Sequence, residues 1–184
     1  MDAQICQDPQ QLYQASHIVL PGVGAFEVAI NNLKKGGWVE ALNDNVLVQK
    51  KPLLGICLGL QLLANKSYEN GVFEGLGYVP GEVRPLRELS FDLPVPNVGW
   101  AEVSFLNQRM FSQIQAGSCF YFVHSFYFKP TNPDNIAGTS FFGEKFCCSI
   151  VKDNIWATQF HPEKSQKAGL ALFKNFAMWN GSST

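Results

Sequence analysis

Leu53-Leu54-Gly55-Ile56-Cys57-Leu58-Gly59 decides the fold. The run at 53–56 follows Pro52 and has the short, continuous apolar character of a strand buried on both faces. Residues 58–65 then take helical spacing. A buried strand that runs straight into a helix is the unit of an α/β sheet. At the corner stands a cysteine between two glycines, the G-x-nucleophile-x-G pattern of a nucleophile elbow. Both glycines have a mechanical reason. The sharp turn strains the backbone, and a side chain at either position would clash where the helix crosses the strand. The turn lifts the sulfur out of the sheet and aims the helix N-terminus at it, which favours the thiolate. For a lone cysteine, burial in an α/β turn would be the better reading. The paired glycines and the strand-helix context favour a nucleophile at Cys57.

Working outward, residues 3–6 read as a short strand. Asp8-Pro9 reads as the N-cap and first position of a short helix through Gln14. Residues 17–20 form a strand stopped by Pro21-Gly22-Val23-Gly24. Helices are expected at 26–33, ended by Gly36-Gly37, and at 39–48. The stretch 72–103 is rich in Gly and Pro and suits hairpins and loops. Strands are expected at 120–128, 141–151 and 155–160, and a closing helix at 168–179. Strand and helix alternate in the first third and strands dominate later. The expected fold is α/β, a mostly parallel open sheet with flanking helices and antiparallel additions in the second half. The 184 residues suit one domain.

Composition removes several classes of function. Hydrophobic residues are 46% and charged residues 16%, as in a globular chain. Fourteen basic against fifteen acidic residues leave a net charge of −1, without the basic footprint of a nucleic-acid binder. No apolar run reaches the length of a membrane helix, and the N-terminus lacks the regions of a signal peptide. A cytoplasmic location is expected. The cysteines are Cys6, Cys57, Cys119, Cys147 and Cys148. They are odd in number and form no CxxC pair, so neither a disulfide framework nor a zinc site is suggested.

A thiolate nucleophile needs a base and an oxyanion hole. Among His17, His124 and His161, the last is the strongest base candidate. It follows the strand ending in Gln159-Phe160 and precedes Pro162-Glu163. Pro162 stiffens the turn, and Glu163 can orient the ring and stabilise its cation. A His-Pro-Glu turn alone is commonplace on surfaces. His124 lies in the aromatic run Phe120-Tyr121-Phe122-Val123-His124, where packing is the default. In Pro21-Gly22-Val23-Gly24 the glycines leave a peptide plane free to turn a backbone N–H towards an oxyanion. A tight loop accounts for those four residues equally well, and the absence of a following Gly-Lys-Ser/Thr argues against a phosphate loop.

Together these residues resemble the class I, triad-type glutamine amidotransferases. Pro-Gly-Val-Gly-Ala-Phe at 21–26, Gly-Ile-Cys-Leu-Gly-Leu-Gln at 55–61 and Gln-Phe-His-Pro-Glu-Lys-Ser at 159–165 fall in that family's order. Further stretches are similar to one branch, the HisH subunits of imidazole glycerol phosphate synthase. These are Gly75-Leu76-Gly77 with Pro80-Gly81-Glu82-Val83, Pro96-Asn97-Val98-Gly99-Trp100, and Tyr121-Phe122-Val123-His124-Ser125. The resemblance implies a triad of Cys57, His161 and Glu163. It implies oxyanion donors at the backbone of Leu58 and Val23, the latter after a flip of the Gly22–Val23 peptide. It implies L-glutamine held by Gly22, by Gln61 and by the backbone around His124 and Ser125, with no metal or organic cofactor. It also implies a (β/α)8-barrel cyclase partner that receives the ammonia, met near Trp100, Tyr121 and Lys164. Trp100 as core and Lys164 as a solvated charge are the plainer readings of those two.

Two positions depart from the branch: Asn97 stands where it commonly has His, and Ala101 where it commonly has Asn. A sister branch that supplies ammonia for amidination of surface sugars is therefore a second expectation. A non-catalytic regulatory subunit and a peptidase or γ-glutamyl hydrolase with the same triad are remoter ones. The family also opens with a strand, a glycine-rich turn and a helix that have no counterpart here, so an N-terminally shortened domain is expected.

Overall fold

The computed structural model describes residues 3–107 and 109–182. The first ordered element is a single-turn-type helix at Pro9–Gln14, capped by the Asp8 side chain through Gln10 N. Then follow β1 (Ile18–Gly22), α1 (Phe26–Lys35), α2 (Trp38–Leu42) and a wider π-type turn at Asn43–Val48. The elbow comes next, as β2 (Leu53–Cys57) and α3 (Leu58–Leu62). Short strands β3 (Lys66–Ser67), β4 (Phe73–Glu74) and β5 (Gly81–Pro85) lead to β6 (Asn97–Glu102) and β7 (Ser104–Phe105). The second half holds β8 (Cys119–His124), β9 (Phe126–Pro130), β10 (Ile136–Phe142), β11 (Glu144–Lys152) and β12 (Ile155–Thr158). It closes with α4 (Gln166–Met178).

The main sheet has the order β1-β2-β12-β11-β10-β7. β1, β2 and β12 are parallel, and β11, β10 and β7 continue the sheet antiparallel. That is the α/β sheet with antiparallel additions expected from the order of elements. Every residue of β2 and β12 is buried. Side chains alternate between faces along a strand, and both faces are covered. Leu53, Ile155 and Ala157 join one apolar cluster with Phe26, Ile30 and Leu42. Leu54, Ile56 and Trp156 join another with Leu172 and Phe176. Double coverage is why β2 reads as an unbroken apolar run. The remaining strands form a four-stranded sheet, β4-β3-β5-β9, and a two-stranded ribbon, β6-β8.

Several elements differ from the sequence reading. Residues 3–6 form no strand. The run 120–128 is two strands broken at Ser125, because β8 pairs with β6 while β9 pairs with β5. The strand expected at 141–151 starts after a turn at Gly143, whose φ is +70°, and β10 before that turn was not anticipated. The helix expected at 58–65 stops at Leu62. Leu62 O and Ala64 O instead accept from Leu76 N and Gly77 N, so the loop after β4 ends the helix.

Candidate active site

The three parallel strands end at the same edge: β1 at Gly22, β2 at Cys57 and β12 at Thr158, three residues before His161. Ligand sites in such sheets lie at the carboxyl ends of the strands. The β1–β2 register pairs Gly22 with Cys57, which brings the Pro-Gly-Val-Gly loop beside the nucleophile.

Cys57 has φ +54° and ψ −107°, a strained backbone for a residue with a side chain. Gly55 and Gly59 make the strain tolerable. A Cβ at Gly59 would overlap Leu20 O, and one at Gly55 would stand 3.0 Å from the Ala157 Cβ. The clash expected from the motif is thus located: α3 crosses β1 at Gly59, and the Gly59 backbone packs on β2 at Gly55.

A cavity of about 290 Å3 collects the candidates. Val23, Cys57, Leu58, Gln61, His124, Ser125 and His161 all line it. Gly22 pairs in register with Cys57 but is not among the lining residues. His161 is buried, and its Nδ1 donates to Glu163 Oε1 at 2.6 Å. Its Nε2 is buried without a hydrogen-bond partner. With Nδ1 carrying the proton, Nε2 keeps its lone pair and can accept the thiol proton. His161 N donates to Tyr121 O at 2.8 Å. Ser165 Oγ donates to His161 O at 2.6 Å and accepts from Tyr121 N at 3.1 Å. The base is therefore held by main-chain and hydroxyl bonds on both sides.

The state of the sulfur corrects one expectation. Burial pushes the Cys57 thiol up to about 11, and the Glu163 carboxylate adds to that. Hydrogen bonds from Leu58 N and from Gln159 Nε2 (3.7 Å), with the charge of Lys164, pull the other way and do not prevail. The physical reason is desolvation, the largest influence on this buried sulfur, which disfavours the charged form. That shift favours the thiol form of Cys57 at neutral pH.

His124 is also buried. Burial, with the nearby His161, holds its imidazole down to about 4 despite its bond to the Phe126 carbonyl. It is neutral at physiological pH. Gln61 Nε2 donates to Phe126 O (3.2 Å) and Gln159 Oε1 (3.1 Å).

Trp100, Tyr121 and Lys164 form a second group on the surface. The Trp100 and Tyr121 rings meet edge to face at 5.9 Å, and Lys164 Nζ lies 5.4 Å from the Tyr121 ring centre. Trp100 is 50% exposed, which removes the core reading, and Lys164 is a ring-bound cation and not merely a solvated one. The Tyr121 ring also meets that of His161 at 6.5 Å, so this group adjoins the cavity.

Two further residues emerge only in three dimensions. Glu69 lines the cavity, and its Oε2 accepts from Phe26 N at 2.9 Å, capping α1 from 43 residues away. Nothing local in the sequence marks it. Gln159 stands inside a quoted motif, yet its contact with Cys57 depends on the β2–β12 pairing.

The sequence profile of the family described as glutamine amidotransferase class-I matches residues 3–179. A Campylobacter jejuni subsp. jejuni protein named imidazole glycerol phosphate synthase subunit HisH 1 is 49% identical over 174 residues, which are 94% of this chain and 86% of that protein. The Geobacter metallireducens subunit HisH is 46% identical over 182 residues, covering 96% and 86%. Among solved structures, one titled "Crystal structure of glutamine amidotransferase" aligns with a TM-score of 0.73 at 14% identity, over 97% of this chain and 88% of that one. That last likeness speaks to the fold.

Proposed function

The chain belongs to the class-I glutamine amidotransferase family, and from that membership we propose that it is the glutaminase subunit of an imidazole glycerol phosphate synthase, releasing ammonia from L-glutamine for histidine biosynthesis. The observation that carries this reading is one cavity that gathers a cysteine on a strained elbow, a buried histidine backed by a carboxylate, and Gln61. The HisH names of its relatives support the branch.

On this reading the residues lining the cavity carry the steps. The Cys57 sulfur attacks the side-chain amide carbon of glutamine while its proton passes to His161 Nε2. Because the resting group is a thiol, attack and proton transfer are coupled. The new oxyanion accepts from Leu58 N and from Val23 N once the Gly22–Val23 peptide presents it. His161 then protonates the departing nitrogen, and a γ-glutamyl thioester remains on Cys57. Water, deprotonated by the same nitrogen, attacks the thioester and releases glutamate. Glu163 holds the Nδ1 proton throughout. Gln61 and the backbone at His124 and Ser125 hold the substrate, and the Glu69 carboxylate suits its α-ammonium group.

The ammonia passes to a (β/α)8-barrel cyclase subunit. The exposed Trp100–Tyr121–Lys164 group supports that face as the docking face, since it adjoins the cavity and carries the aromatic and cationic character of interface anchors. Such a subunit works in the cytoplasm; no helix among the described residues is long and apolar enough to cross a membrane. Nothing in the relatives' names supports the surface-sugar or non-catalytic readings.

The test is glutamine hydrolysis by the subunit alone and with its barrel partner carrying acceptor nucleotide. One missing oxyanion donor costs on the order of 10²–10³ in rate. Stimulation of about that size by the loaded partner is the expected result. Equal rates with and without the partner would contradict the role given to Val23.

A further inference from the structure

One line of hydrogen bonds joins the β6–β8 ribbon to the nucleophile. Asn97, first residue of β6, faces His124, last residue of β8, in the antiparallel register. Asn97 Nδ2 lies 3.1 Å from His124 Nε2. His124 Nδ1 lies 2.8 Å from Phe126 O. That oxygen also accepts from Gln61 Nε2, which donates in turn to Gln159 Oε1, and Gln159 Nε2 ends the line on Cys57 Sγ.

The polarity of this line is fixed by chemistry. A carbonyl oxygen only accepts, so Nδ1 of His124 carries the proton. Nε2 is then a lone pair, and the Asn97 amide N–H is what satisfies it. Phe126 O spends both lone pairs, one on His124 and one on Gln61. Gln61 must present its amide nitrogen, because the reversed amide would set oxygen against Phe126 O and Gln159 Oε1. Gln159 in turn must present its nitrogen to the sulfur. Every amide is oriented by the one before it, and buried partners of this kind are costly to leave unsatisfied.

We propose that Asn97 is a positioning residue: it locks His124 in the Nδ1–H tautomer, and that tautomer sets the orientation of the Phe126 carbonyl, Gln61 and Gln159 against the Cys57 sulfur. Asn97 touches neither the sulfur nor the base. It lies three residues from Trp100 on the same strand, so the line also connects the exposed ribbon to the cavity. With the opposite tautomer, Nε2–H, a lone pair on Nδ1 would face the Phe126 carbonyl. That carbonyl would turn away and release Gln61, which holds both Gln159 and the substrate.

The inference rests on the glutaminase reading, and two measurements separate the failure of each. The first is ¹⁵N-edited NMR of the histidine rings in the full chain at neutral pH, which needs no substrate. His124 is expected to show a protonated Nδ1 and an unprotonated Nε2. A protonated Nε2 in the unsubstituted protein would overturn the proposal whatever the variants do. The second compares partner-stimulated glutaminase activity in Asn97→Leu, Asn97→Asp and Asn97→His. Asn97→Asp turns the donor into an acceptor and should show both His124 nitrogens protonated. Asn97→Leu should lose about tenfold or more in kcat/KM, the scale of one buried hydrogen bond, whereas Asn97→Asp keeps Nδ1–H on Phe126 O and should lose less. Asn97→His restores a ring N–H donor and should stay within about threefold of the original. Unchanged ring signals and activity in Asn97→Leu would refute the proposal. An unsubstituted complex that hydrolyses no glutamine would instead refute the functional reading.

Discussion

Cys57 shows how a site residue is set by three separate demands. The elbow gives it a backbone with φ +54°, the sheet buries it, and Gln159 and Leu58 donate to its sulfur. Burial outweighs the donors, and the sign of that balance is measurable. A thiol held up to about 11 is increasingly ionised as pH rises and is mostly protonated below that value. Alkylation of Cys57 by iodoacetamide in the lone subunit should therefore accelerate about tenfold per pH unit from neutral pH, with no plateau below pH 10 or so. The rate is read by mass spectrometry on the peptide carrying Cys57, in a Cys119→Ser background, since Cys119 is exposed. A plateau already near pH 8 would mean a thiolate stabilised by α3 and would restore the expectation drawn from the motif. At this scale the sequence was informative where the chemistry is local. Cys57 with its flanking glycines, and His161 with Glu163 two residues on, are each one turn of chain. Glu69, Gln159 and the Asn97–His124 pair were not legible, because their partners lie between 27 and 102 residues away.

At the scale of elements, the crossing of α3 over β1 is the tightest constraint. Gly59 rests against Leu20 O with no room for a methyl group. Gly59→Ala should push α3 away from β1 and lower unfolding free energy by about 1–3 kcal/mol, as overpacking does, in urea denaturation followed by circular dichroism. A change below about 0.5 kcal/mol, the range of neutral surface substitutions, would show that α3 moves freely. Elements defined by burial on both faces, β2 and β12, could be read directly because their apolar runs are unbroken. The aromatic run through β8 and β9 misled for the same reason. Continuous apolarity conceals the break at Ser125, where the chain leaves one sheet for another. β10 does not stand out in the sequence, where Gly138 interrupts the apolar run; in the fold a Cβ added there would come within 3.4 Å of the Val103 and Ser149 side chains.

On the scale of the whole molecule, the cavity is a junction. The parallel strands supply Cys57 and, beyond β12, His161; β8 and β9 supply the opposite wall with Val123, His124 and Phe126. Trp100, Tyr121 and Lys164 stand next to it on the outside, with Tyr121 bonded through its backbone to the His161 turn. On the proposed reading, a partner docked on that group would press on His161, which is how hydrolysis would be coupled to an occupied cyclase. The fold class was legible from the alternation of strand and helix. The junction was not, since it exists only where three sheets meet. The central claim is that Cys57 generates ammonia and takes no part in its use. Its most direct test is product formation by the subunit and its barrel partner with Cys57→Ala, supplied first with glutamine and then with ammonium salt. The account predicts no synthesis from glutamine and undiminished synthesis from ammonia. Glutamine-dependent synthesis surviving in Cys57→Ala would contradict it.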